Sequence, residues 1–82
     1  MVNVEFSSNF ERLFKKIKNE NIKSKLKKQI KKVLDNPEIG KPMKYDRRGT
    51  RELYVKPFRL SYAYFKSKNK IIFLDLYHKD EQ

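Results

Sequence analysis

Cysteine is absent and histidine occurs once, so disulfides and thiol chemistry are unavailable and no zinc site of the usual Cys/His kind can be assembled. Any catalysis must run without metal or on carboxylates, and no cofactor is expected. Long apolar runs are also missing. The longest, Ile71-Ile72-Phe73-Leu74, falls far short of the roughly 20 residues that span a bilayer. The opening Met1-Val2-Asn3-Val4-Glu5 lacks the basic start and apolar stretch of a secretion signal, so a cytoplasmic location is expected. Acidic residues are outnumbered, 10 Asp+Glu against 21 Lys+Arg, for a net charge of +11 and a pI near 10.0. That charge on an 82-residue body points to a polyanionic partner. A membrane surface is disfavoured, because the apolar faces of the basic helices are narrow enough to be spent on a core.

What remains is one domain's worth of material, expected to span residues 1–82, with six Phe and five Tyr for a single small core. Val2, Val4 and Phe6 alternate with polar residues, the period of a half-buried strand. Ser8 and Glu11 fit a capping box, and Phe10, Leu13, Phe14 and Ile17 then recur at helical spacing, predicting a helix to about Asn19. A second stripe, Ile22, Leu26, Ile30, Val33 and Leu34, predicts another helix that ends before Pro37. Gly40 and Pro42 mark a loop. From Met43 the period is two: short strands over Met43–Tyr45, Arg51–Lys56, Arg59–Phe65 and Lys70–His78, with turns at Asp46–Gly49, Lys56-Pro57 and Ser67–Asn69. Leu53 and Val55 share a face, as do Leu60, Tyr62 and Tyr64, and Ile72, Leu74 and Leu76. The expected fold is α+β in the order β-α-α-β-β-β-β, an antiparallel-rich twisted sheet with an α-helical hairpin packed on one face.

The order of elements and the C-terminal half resemble the RelE/ParE toxin superfamily. The resemblance rests on Gly49-Thr50-Arg51-Glu52-Leu53-Tyr54-Val55, on Pro57-Phe58-Arg59-Leu60-Ser61-Tyr62 and on Ile71-Ile72-Phe73-Leu74-Asp75-Leu76-Tyr77-His78-Lys79. Upstream, Val33-Leu34-Asp35-Asn36-Pro37 and Gly40 match as well. It implies a type II toxin with an acidic, RelB-like antitoxin as partner. The RelE-like branch implies a metal-independent, ribosome-dependent endoribonuclease that cleaves mRNA and inhibits translation. The ParE-like branch implies a gyrase inhibitor without nuclease activity, and a degenerate member would only bind RNA.

RNA cleavage by in-line transfer needs a base for the 2′-OH, cations for the phosphate and an acid for the departing 5′ oxygen. The resemblance carries over most directly to Arg59, which alternation turns away from Leu60 and Tyr62 and whose fork can grip a phosphate. On a neighbouring strand Glu52 is a carboxylate that can pair with it. Lys79 falls where RelE-like enzymes commonly carry an Arg. Two family lysines that can act as base match Glu52 and Tyr54 here, in an alignment that skips two residues at the turn. The base is therefore open among Lys56, Arg51, Lys44 and Glu52. His78, the one histidine, is an acid or base candidate by residue type, while Tyr77 or Tyr54 can stand in for a family tyrosine near the C-terminus. Arg47, Arg48, Arg51 and Lys44 near Gly49, with Lys27, Lys28 and Lys31 on the second helix, suit contacts to the RNA backbone.

Overall fold

The computed structural model describes residues 2–43 and 49–78. Strand β1 (Asn3–Phe6) leads into helices α1 (Ser8–Lys16) and α2 (Glu20–Asp35), followed by β2 (Lys41–Pro42), β3 (Thr50–Val55), β4 (Phe58–Phe65), a 3-10 turn at Lys66–Lys68 and β5 (Lys70–His78). The five strands form one sheet in the order β1-β5-β4-β3-β2. Among the described residues β1 pairs parallel with β5, and β2, β3, β4 and β5 pair antiparallel in succession. The expected α+β architecture is the observed one, with a mixed sheet. No helix among the described residues is long and apolar enough to cross a membrane.

The helix ends differ from expectation for identifiable reasons. The cap of α1 is Ser7 rather than Ser8: its hydroxyl accepts from the Phe10 amide at 3.0 Å and donates to the Leu74 carbonyl at 2.7 Å. One side chain thereby satisfies an orphan helix donor and ties the helix start to β5. The helix stops at Lys16 instead of near Asn19, and Ile17 turns into the core at 8% exposure. Asn19 then opens α2, its side-chain oxygen accepting from the Asn21 and Ile22 amides at 2.9 and 3.1 Å. A short polar side chain competing for backbone donors begins the helix at Glu20, two residues ahead of the apolar stripe.

Both helices cover the sheet face that carries Leu53, Val55, Phe58, Leu60 and Tyr62. Leu26, Val33, Leu60, Tyr62, Ile71 and Phe73 are fully buried there. The rings of Phe10, Phe73 and Tyr62 meet at centroid distances of 5.7 and 5.8 Å in tilted contacts, and Phe10 also stacks on Phe14 at 6.2 Å. The expected face Ile72, Leu74, Leu76 is corrected. A bulge between β4 and β5 pairs Ser61 with Asp75 but Tyr62 with Phe73, leaving Leu74 as the extra residue. The extra residue inverts the alternation, so the core face of β5 reads Ile71, Phe73, Leu76.

The loop after α2 is pinned from the sheet. The Tyr62 hydroxyl donates to the Pro37 carbonyl at 2.8 Å and accepts from the Gly40 amide at 2.9 Å. A Cβ at Gly40 would stand 2.7 Å from that hydroxyl and 3.0 Å from Arg51 Cβ, so no larger residue fits without displacement. Burial pushes the Tyr62 pKa above its ordinary 10.0, against the opposing pull of the Gly40 N–H and the Arg51 charge. A short strand forms at Lys41–Pro42, on the sheet edge where a proline is tolerated; of the strand expected at Met43–Tyr45 only Met43 is among the described residues. The Met43 amide continues the pairing to the Thr50 carbonyl at 3.0 Å. Residues 44–46, like the remainder of the expected turn before Gly49, lie outside the described residues.

Candidate functional site

The sheet face away from the helices is organised by strand register. Tyr54 of β3 lies opposite Arg59 of β4, which lies opposite Tyr77 of β5. In the next row Glu52 faces Ser61, which faces Asp75, and beyond them Thr50 faces Ala63. Three strands thus bring a guanidinium, two carboxylates, two phenols and hydroxyls onto one surface, although they are spread over 28 residues of sequence from Thr50 to Tyr77.

Glu52 is the centre of this surface and is only 6% exposed. Burying a carboxylate is costly unless it is paired. Here Tyr77 donates its hydroxyl to Oε2 and Arg59 brings Nη1 to 3.4 Å from Oε1. The longer contact is an ion pair with weak hydrogen-bond geometry, which leaves the Arg59 fork incompletely engaged. Its guanidinium rests over the Tyr54 ring, 5.8 Å from the centroid, and Tyr54 is half exposed. Arg59 Nε is buried with no partner among the described residues. An unsatisfied donor in an otherwise paired cluster is a cost that cores avoid, and such costs concentrate at functional sites.

The other expected site residues are dispersed. His78 pairs with Phe58, not with Arg59, and its ring meets Phe58 edge-on at 5.5 Å. It lies on the helix side, bordering a cavity of about 450 Å³ with Leu13, Ile17, Lys16 and Lys18. Strand alternation turns His78 to the face opposite Arg59. Lys56 is exposed at the turn between β3 and β4. Arg51, expected at the RNA backbone, donates Nη1 to the carbonyls of Glu38 and Gly40 at 2.9 and 2.8 Å and so clamps the loop after α2. Lys27, Lys28 and Lys31 are exposed on α2, across the sheet from Arg59. Lys44, Arg47, Arg48 and Lys79 lie outside the described residues. Among the described residues no three of His, Cys, Asp and Glu group to hold a metal.

The arrangement on the open face combines a cation for an anionic group, a buried proton acceptor and a phenol already bonded to it. A family model described as the ParE toxin of the type II toxin-antitoxin system, parDE, matches residues 3–82. The chain belongs to this toxin family. As a ParE-family chain within the RelE/ParE superfamily it is a toxin of a type II toxin-antitoxin system. The toxin fold is shared with solved structures at low identity. The intact RelBE toxin-antitoxin complex of E. coli is similar at 17% identity and a TM-score of 0.79, over 93% of this chain and 94% of that one. The RelBE2 complex of Mycobacterium tuberculosis is similar at 20% identity and a TM-score of 0.81, over 95% and 98%. YafQ of E. coli is similar at 21% identity and a TM-score of 0.74, over 99% and 97%. No curated protein matches the chain.

From the sequence Tyr77 is only a stand-in for a family tyrosine and Asp75 carries no role, yet strand register brings both to the open face. The signal that finds Tyr77 is its register opposite Arg59, which sequence shows only once the turn lengths fix the strand pairing.

Proposed function

We propose that this ParE-family toxin is a metal-independent endoribonuclease that cleaves mRNA on the ribosome and so inhibits translation. The observation that carries the reading is the convergence of Arg59, Glu52 and Tyr77 on the open sheet face. Arg59 binds the scissile phosphate and stabilises the charge that builds on its oxygens. Glu52 accepts the proton of the 2′-OH as that oxygen attacks phosphorus, and Tyr77 passes its own proton to the departing 5′ oxygen while regaining one from Glu52. The bond from phosphorus to the 5′ oxygen breaks, a 2′,3′-cyclic phosphate forms, and no net proton is gained or lost by the protein. By resemblance Lys79 supplies a second cation; His78, on the other face, takes no step. The partner is an acidic, RelB-like antitoxin that neutralises the toxin, and the exposed lysines of α2 speed its approach by long-range attraction.

A second reading, inhibition of DNA gyrase without nuclease activity, is favoured by one observation: Glu52 already offsets the Arg59 charge that a phosphate would need. Purified toxin added to programmed ribosomes, with mRNA 5′ ends mapped, separates the two. Cuts within A-site codons that Glu52→Gln slows by about 100-fold or more support the nuclease. Intact mRNA together with blocked gyrase supercoiling supports the second reading and overturns the first.

A further inference from the structure

Next to the proposed reacting group the open face sinks into a hollow of about 250 Å³ bordered by Thr50, Ser61, Leu74, Asp75 and Tyr77. Its size suits a single planar ring, since pockets for larger ligands start at about 300 Å³. Tyr77 is shared with the Glu52–Arg59 group, so an RNA whose phosphate meets Arg59 brings a neighbouring base toward the hollow. The hollow adjoins the bulge at Leu74, where Asp75 faces Ser61.

Asp75 decides what the hollow accepts. One carboxylate oxygen, Oδ1, is committed to the Leu76 amide at 2.8 Å and to Asn9 Nδ2 at 3.0 Å, which fixes the side chain. A carboxylate repels phosphate, so its place on an RNA-facing surface is against a donor on a base edge. Cytosine presents an exocyclic amine where uracil presents a carbonyl oxygen, and a carboxylate attracts the first and repels the second. Ser61, 8% exposed, adds a hydroxyl at the floor, and Leu74 supplies an apolar wall for a ring.

We propose that the Asp75 hollow is a nucleobase subsite that selects bases carrying an exocyclic amine, cytosine over uracil, beside the bond to be cut. The inference rests on the reading of the open face as the RNA-binding face, and its test does not require cleavage. Trinucleotides of 2′-O-methyl CCC and UUU, which cannot be cut, are titrated into the protein while backbone amide resonances are followed. Wild type is expected to bind CCC about tenfold more tightly than UUU, with shifts at Ser61 and Leu74 to Tyr77. Asp75→Asn keeps an oxygen for the Leu76 amide but presents a donor beside it, so the preference for CCC is lost or turns toward UUU. Equal affinities in the wild type, no binding of either trinucleotide, or a preference that survives Asp75→Asn would each overturn the proposal. Absence of mRNA cleavage with the CCC preference intact removes the catalytic reading alone.

Discussion

The two faces of one sheet are built on opposite rules. On the helix side, neighbouring strands contribute Leu53, Leu60 and Leu76 in one row and Tyr62 with Phe73 in the next, and these side chains pack into the core, with Leu53 partly buried at its margin. On the open side the same strands, shifted by one residue, contribute Glu52, Ser61 and Asp75, and Tyr54, Arg59 and Tyr77. The first face holds its residues by close packing, so any loss of volume is felt. The second holds them by pairing charges and hydroxyls around a buried carboxylate, so a loss there leaves a charge uncompensated and, under the proposed function, slows cleavage as well. Adjacent residues of β4, Arg59 and Leu60, therefore belong to different regimes.

Substitutions chosen from each face can break that comparison. Leu60→Ala, at a fully buried position, should cost about 2–5 kcal/mol of stability from lost burial and the cavity left behind; chemical denaturation measures it, and a cost below 1 kcal/mol would contradict the packing described. Gly40→Ala presses a methyl against the Tyr62 hydroxyl and should cost about 1–3 kcal/mol as an overpacking effect. A stabilised Gly40→Ala variant would show the clamp to be looser than its distances imply. Tyr62 bears on alkaline stability. Its native pKa is raised, so the native state holds the proton longer than the unfolded chain. The stability this provides is complete below the unfolded pKa near 10.0 and is lost as pH rises through the native value. Tyr62→Phe should lower stability at neutral pH, where two hydrogen bonds are lost, yet flatten the decline above pH 10, read from denaturation midpoints at pH 8 and about 11. The smallest effect is expected at His78: His78→Ala should leave mRNA cleavage within about threefold of wild type, because its ring lies on the helix side. A loss of about 100-fold, the scale of a missing general acid or base, would return it to the reacting group.

Much of the fold is legible in the sequence because its signals are local. The helical stripes, the Pro37 stop, the turn at Lys56-Pro57 and the faces of β3 and β4 all follow from spacing between near neighbours. The failures are of two kinds. Asn19 and Ser7 move the helix ends by side-chain capping, where two serines in a row leave the cap ambiguous. The bulge at Leu74 is invisible in an apolar run that fits either alternation, and it changes which residues of β5 face the core. The candidate site was half legible. Arg59 and its pairing with Glu52 follow from alternation and turn length, but Tyr77 reaches Glu52 across 25 residues of sequence, and only strand register separates it from His78. Arg51 is a different case: its parity with Leu53 and Val55 already turns it from the open face, and it engages the loop after α2.

The central claim is that the open face carries the chemistry and the helix face the fold, and single-turnover cleavage of mRNA on programmed ribosomes tests it most directly at Arg59. Arg59→Ala should lose at least about 100-fold in rate. Because that change leaves Glu52 without its cation, the double variant Arg59→Ala/Glu52→Gln serves as its partner, with the thermal midpoint returning to within a few degrees of wild type while cleavage stays as slow. Cleavage by Arg59→Ala at the wild-type rate would contradict the account.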